Sequence, residues 1–219
     1  MKKAAVIHDL SGFGKCSLTA AIPVLSALGV QCCPVATAVL TGQTGYPCYH
    51  CTDLTAMLPD YIDAWGKNNA HFDAIYSGFL TGAEQISQVL DFIRQFREEH
   101  TLLLVDPVMG DDGNAYPFFT PGLLNGMKEL TLEADVITPN LTEACLLADI
   151  PEDALLHCRT VFFIIIEISL LCHGSHFHTG SDTAVSGIYT DRIGCGQICR
   201  LSGISFGLHI CNVVCRCIH

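Results

Sequence analysis

The feature that most constrains this chain is an alternation of short apolar runs with amphipathic segments through its first 150 residues. Residues 4–7 form a compact apolar run of the kind found in buried parallel strands. Residues 17–28 carry Leu18, Ile22, Leu25 and Leu28 at helical spacing and stop before Gly29. The pattern then predicts a strand over 32–40, a helix over 53–65 interrupted by Pro59, and a strand over 74–77. A strong amphipathic helix follows over 83–99 (Ile86, Val89, Leu90, Ile93, Phe96), then a strand over 102–105. A Pro-started helix over 121–130 and a strand over 136–138 complete the series. Strands alternating with helices build βαβ units on a mostly parallel sheet flanked by helices. In such sheets ligands bind beyond the carboxyl ends of the strands, so the chemistry is sought in those loops.

Composition narrows the function classes. The 219 residues suit one large domain with a sizeable core. A formal charge of −11 lacks the basic footprint that phosphate neutralisation requires, which argues against nucleic acid. A mean hydropathy of +0.39 excludes disorder. The best membrane candidate, 161–172, is interrupted by Glu167 and falls short of the roughly 20 apolar residues a spanning helix needs, so no membrane role is expected. Thirteen cysteines without a secretory signal are expected as reduced thiols in a cytoplasmic protein.

A composition break falls near residue 150. Residues 1–150 hold six Cys, four His, five Lys and 17 acids; residues 151–219 hold seven Cys, six His, no Lys and five acids. Sustained periodicity is lost after about Cys172. The expected organisation is therefore a core over 1–150 and an atypical Cys/His-rich tail over 151–219.

The loop after the first run reads His8-Asp9-Leu10-Ser11-Gly12-Phe13-Gly14-Lys15-Cys16-Ser17. It is not a P-loop, because Asp9 stands in the place of the first glycine and Cys16 in that of the magnesium-binding hydroxyl. Two glycines still allow close backbone approach to a ligand, and Ser11 is expected as a free hydroxyl at the strand tip. The alternative is a tight turn with an N-cap serine. Thr41-Gly42-Gln43-Thr44-Gly45 is a second small hydroxyl-and-glycine loop.

Two later loops carry carboxylates. Asp106 directly ends an apolar strand and leads through Pro107 into Gly110-Asp111-Asp112-Gly113, where the last three residues suit an ordinary turn. Thr138-Pro139-Asn140-Leu141-Thr142-Glu143 repeats the arrangement; Asn140 or Thr142 caps the next helix and Glu143 closes a capping box. Carboxylate-bearing loops on two successive strands suit Mg²⁺ riding on substrate phosphates. The residues thus point to a magnesium-nucleotide site beside a small-molecule pocket.

Residues 8–19, Asp106-Pro107-Val108-Met109-Gly110-Asp111 and Thr138-Pro139-Asn140-Leu141-Thr142-Glu143-Ala144, in order over roughly 1–149, resemble the pyridoxal/pyridoxamine kinase branch of the ribokinase superfamily. A related kinase of a thiamine pyrimidine precursor shares the Asp-Pro-Val-Met start but continues differently. The resemblance implies a three-layer αβα fold, incomplete at the carboxyl terminus. It implies ATP- and Mg²⁺-dependent phosphorylation of the 5′-hydroxymethyl group of a B6 vitamer, by an enzyme that commonly forms homodimers. It places Ser11 and Thr44 at the substrate and Asp106, Thr138 and Glu143 at the nucleotide. Asp106 and Glu143 serve the Mg²⁺, with Glu143 acting through water. Gln43 stands where relatives often carry histidine.

The family's late Gly-Thr-Gly-Asp, whose aspartate is the base, is absent; Thr179-Gly180-Ser181-Asp182 is the nearest string, making Asp182 the candidate. The tail is accordingly expected to be a frame-shifted or truncated counterpart of the family's last region. Three further readings stay open: a catalytically inactive kinase-like fragment that binds a ligand or partner, a hydroxymethylpyrimidine kinase, and a Cys/His zinc module. The last would use Cys195, Cys199, Cys211, Cys215, Cys217, His209 and His219. His8, His50, His71 and His100 are expected at the surface or behind ligands rather than as ligands.

Overall fold

The computed structural model describes residues 1–150. Strand β1 (Lys3–Ser11) is the spine of the sheet and outruns its expected apolar run by the four residues His8–Ser11. Its partner β2 (Gln31–Leu40) runs parallel to it, and β3 (Cys51–Asp53) lies antiparallel on the outer edge. On the other side come β4 (Ala74–Ser77), β5 (Leu102–Val105) and β8 (Val136–Ile137), all parallel, giving the order β3–β2–β1–β4–β5–β8. A small antiparallel ribbon, β6 (Gly110–Asp111) and β7 (Asn114–Ala115), stands apart. Its two-residue turn needs positive φ at both central positions, and Asp112 (49°) and Gly113 (77°) supply it.

The helices follow from the strand order. From β1 to β2 the chain steps one way; it then crosses back over β1 to β4 and continues in that second direction. Right-handed crossovers therefore put α1 (Ser17–Ala27) on one face and α2 (Leu58–Lys67), α3 (Ala83–Phe96) and α4 (Pro121–Leu132) on the other. The core divides accordingly. Ala4 and Val6 of β1 pack with Leu18, Ala21 and Leu25 of α1, whereas Ala5 and Ile7 pack with Leu58, Ile86, Phe92, Leu123 and Met127. Alternate residues of one strand thus serve two cores, as its period of two requires. Burying each large apolar side chain contributes roughly 1.5–3 kcal/mol, so the six buried apolar residues of α3 dominate its intrinsic propensity.

Several expectations change. Residues 53–65 do not form one interrupted helix: β3 ends at Asp53, Thr55–Met57 make a 3₁₀ turn, and α2 begins at Leu58 with Pro59 in its first turn. There the missing N–H has no intrahelical partner to lose, so proline starts the helix. Helix α3 stops at Phe96 because Arg97 turns extended, its guanidinium reaching the Asp135 carboxylate at 2.8 Å. The N-cap of α1 is Cys16 rather than a serine, with Thr19 Oγ1 accepting the Cys16 N–H at 3.2 Å. Asn140, not Thr142, caps α5 (Leu141–Ala148). The tail, Asp182 and the candidate zinc ligands lie outside the described residues. Among the described residues no helix is long and apolar enough to cross a membrane.

Candidate functional site

Connections leave β1 and β4 in opposite directions, so the crevice of this sheet opens at their carboxyl ends. The register defines what meets there. Ile7 pairs with Ser77, Ser77 with Val105, and Val105 with Ile137. The hydrogen bonds continue one residue further, from Gly78 N to Ile7 O, Asp106 N to Ser77 O and Thr138 N to Val105 O. His8, Gly78, Asp106 and Thr138 therefore stand in one row across four strands. Because Ile7, Val105 and Ile137 belong to the α2–α4 core, this next row faces the α1 side.

The row is polar and under-satisfied. Both ring nitrogens of His8 and the Thr138 hydroxyl are buried without a well-formed hydrogen bond, as is the Ser77 hydroxyl one residue earlier on β4. Each such group costs about 1–3 kcal/mol, a deficit that a bound ligand or water relieves. His8, expected near the surface or behind a ligand, is 3% exposed, and burial lowers its imidazole to about 3, so it is neutral. Its ring meets Tyr76 edge-on at 4.4 Å. His50, His71 and His100 are exposed, as expected of surface residues.

On the β1–β2 side, Ser11 is not the free hydroxyl the sequence suggests. Its Oγ–H donates to Asp9 Oδ2 at 2.9 Å, with Ser11 and Asp9 only 1% and 5% exposed. The loops after β1 and β2 are joined by Gly12 N to Leu40 O (2.8 Å) and Gln43 N to Phe13 O (2.9 Å). This brings the Ser11 and Thr44 loops side by side, with Thr44 half-buried. Phe13 and Tyr46 close the outer end, their rings 4.9 Å apart. Gly14, at φ +104°, lets Gln43 pack where a β-carbon would lie 3.0 Å from its Cγ.

On the β5–β8 side the two carboxylate loops are stapled together. Glu143 Oε2 accepts the Asn140 N–H at 2.9 Å and Asn140 Oδ1 accepts the Glu143 N–H at 2.9 Å, which is the expected capping box. Glu143 Oε1 also takes the Met109 N–H (3.2 Å), Thr142 Oγ1 the Gly113 N–H (2.9 Å), and Asn140 Nδ2 donates to Gly110 O (2.8 Å). Burial raises the Asp106 carboxyl to about 7, and the nearby Thr138 hydroxyl opposes that rise. Burial, and then the Asp106 charge, push Glu143 well up, with the Asn140 and Met109 N–H groups opposing. Tyr116 faces this acid group; burial first, then Asp111, Glu143, Asp106 and Asp112, push its phenol up to about 12.

Two carboxylates disfavouring one another in a buried setting suit a divalent cation, whose charge removes that penalty. Among the described residues no three His, Cys, Asp or Glu side chains converge on one point. That donor set fits Mg²⁺, which keeps its waters and takes one or two carboxylates plus phosphates. A separate groove between α2 and α3, lined by Ile62, Gly66, Gln88 and Gln95, lies on the helical face away from the strand ends.

Sequence reasoning missed Asp9, Gly78 and Tyr116. Asp9 had a usable signal: on a strand, residues two apart share a face, which joins it to Ser11 once β1 is extended past Ile7. Gly78 had none, because His8 is 70 residues away in the chain, and Tyr116 had little, because Asp106 and Glu143 reach it only through the fold.

The profile of a family described as phosphomethylpyrimidine kinase matches residues 14–194, past the composition break. A Bacteroides thetaiotaomicron protein described as a phosphomethylpyrimidine kinase and crystallised with pyridoxal is 44% identical, with a TM-score of 0.74 over 78% of this chain and 59% of that one. Pyridoxal kinase from Lactobacillus plantarum is 31% identical, with a TM-score of 0.69 over 77% and 60%. A Bordetella avium pyridoxine/pyridoxal/pyridoxamine kinase is 35% identical over 143 residues, 62% of this chain and 47% of that kinase. The chain spans about half or less of the length of the curated relatives it matches. The architecture is the ribokinase-like fold of these kinases.

Proposed function

Given that this chain belongs to the phosphomethylpyrimidine kinase family, we propose that it transfers the γ-phosphoryl group of ATP to the 5′-hydroxymethyl group of a B6 vitamer. The observation that carries this reading is the stapled pair of carboxylate loops, Asp106 with Glu143, at the same end of the sheet as the buried Ser11–Asp9 pair. The bond from the γ-phosphorus to the ADP oxygen breaks, a bond to the 5′-oxygen forms, and the hydroxyl proton passes to a base. Asp182, the candidate base, lies outside the described residues, and we assign that role to none within them.

Ser11 and Thr44 hold the pyridine substrate; Asp106, Thr138 and Glu143 line the nucleotide side. Mg²⁺, when bound, neutralises charge spreading over the phosphates. Asp106 would hold it, and Glu143, whose oxygens already accept N–H groups, would act through water. Packing between the two loop pairs orients the reacting groups and excludes bulk water. The six cysteines of the described residues form no disulfide there, which suits a reducing cytoplasm, and the proposed assembly is a homodimer.

The test is ATP- and Mg²⁺-dependent formation of pyridoxal 5′-phosphate by the purified chain, abolished by Asp106→Ala. A second reading, phosphorylation of a hydroxymethylpyrimidine, is favoured by the description of the matching family. Turnover of that pyrimidine without turnover of any vitamer selects it. ATP binding with neither turnover identifies a non-catalytic relative.

A further inference from the structure

We propose that Asp9 is a specificity-determining residue that recognises a positively charged N–H donor on the substrate. This rests on the kinase reading and names the chemistry of its substrate pocket. Asp9 lies at the carboxyl end of β1, next to the crevice where the strand connections diverge. It is 5% exposed, and no ion pair reaches it among the described residues, whose six ion pairs all lie elsewhere. A buried carboxylate without a cation is costly unless something supplies one.

The hydroxyl beside it sharpens the selection. A serine has one proton to donate, and that of Ser11 is committed to Asp9 Oδ2. Ser11 Oγ therefore meets a ligand only as an acceptor. The second Asp9 oxygen accepts no hydrogen bond from the described residues, so the pair presents acceptors alone. Ser11 and Asp9 also act on the Cys16 thiol, Ser11 by a hydrogen bond and Asp9 through its charge. The negative charge of Asp9 reaches the thiol of Cys51, and Cys51 packs in the cluster of Ala38, Leu40 and Phe79 with Val108 and Phe118. Phe79 and Phe118 meet edge-on at 5.4 Å. A buried carboxylate with no cationic partner, its charge reaching a thiol of an aromatic cluster, fits an aromatic ring that bears a cationic N–H group.

Two parts of a B6 vitamer carry that chemistry: the protonated ring nitrogen, common to all vitamers, and the aminomethyl group of pyridoxamine. Calorimetric titration of the full chain with pyridoxamine, pyridoxal, pyridoxine and N-methylpyridoxine, repeated on Asp9→Asn with Mg-ATP binding as the folding control, separates them. Loss of a charge-assisted hydrogen bond weakens binding roughly 10- to 100-fold. Equal weakening of the three vitamers in Asp9→Asn, with weak N-methylpyridoxine binding to the unsubstituted chain, assigns the ring nitrogen. Weakening confined to pyridoxamine assigns the amine. Affinities within twofold for every vitamer in a variant that still binds Mg-ATP overturn the proposal. Should Asp9→Asn not fold, the unsubstituted chain decides: it overturns the proposal if neither N-methylation nor loss of the amine weakens binding. An unsubstituted chain that binds Mg-ATP but no vitamer overturns the vitamin B6 reading and this inference with it.

Discussion

The imidazole of His8 occupies the space in which residue 78 would carry a side chain: a β-carbon on Gly78 would lie 1.8 Å from His8 Cε1. The glycine is required by that close approach and not by its backbone conformation. Gly78→Ala should therefore destabilise the fold by about 1–3 kcal/mol or more, the usual cost of overpacking. Adding His8→Ala vacates the space and should restore part of the loss. A double-mutant cycle in urea measures the coupling. Additive effects of the two substitutions would contradict the contact.

Asp106 gives a pH dependence with a definite sign. Its carboxyl is raised from the ordinary 3.8 to about 7, so between those values the folded chain holds a proton that the unfolded chain has released. Its contribution is greatest below about 3.8 and is lost as pH rises through about 7. His8 acts oppositely: lowered from 6.5 to about 3, it contributes stability above 6.5 that is lost as pH falls toward 3. The two windows overlap, so the informative quantity is the Tm difference between the metal-free chain and its Asp106→Asn variant. The variant should gain on the unsubstituted chain between about pH 4 and 7. A pH-independent gap would remove the assignment.

Glu143 combines a structural and an electrostatic role, and two substitutions separate them. Asn140→Ala removes both the cap and the bond to Gly110, and should cost about 1–2 kcal/mol in chemical denaturation. Glu143→Gln keeps an acceptor for the Asn140 N–H, removes the charge and leaves the Met109 N–H facing an amide NH2. It should cost about 1–3 kcal/mol of stability while raising the Mg²⁺ concentration needed for half-maximal turnover of the folded protein. Equal Mg²⁺ requirements in the two proteins would confine Glu143 to capping.

Pro59 tests the start of α2. In the first turn its missing N–H costs nothing, so Pro59→Ala should change stability by less than about 1 kcal/mol. Were it interrupting a longer helix, alanine would stabilise the protein by about 3 kcal/mol. Thermal unfolding distinguishes these outcomes.

The residues at the site divide by how far apart their partners lie in the chain. The Asn140–Glu143 capping box was legible because both partners sit within one helical turn, and the Asp112-Gly113 turn because two adjacent residues set it. The Ser11–Asp9 pair was only half legible, since it depends on where β1 stops. The contact of Glu143 with Met109 joins residues 34 apart and left no local trace.

By itself, then, the sequence determined the alternation of strands and helices, the faces they bury and the loops at the strand ends. Those features follow from periodicity and turn chemistry within a few residues. Only the tertiary structure decided that His8 lies neutral over Gly78, that Asp9 accepts the Ser11 hydroxyl's hydrogen bond, and that Asp106 and Glu143 share a buried setting. Those outcomes depend on strand order and register, which bring together residues up to 70 positions apart and remove them from water in the same step.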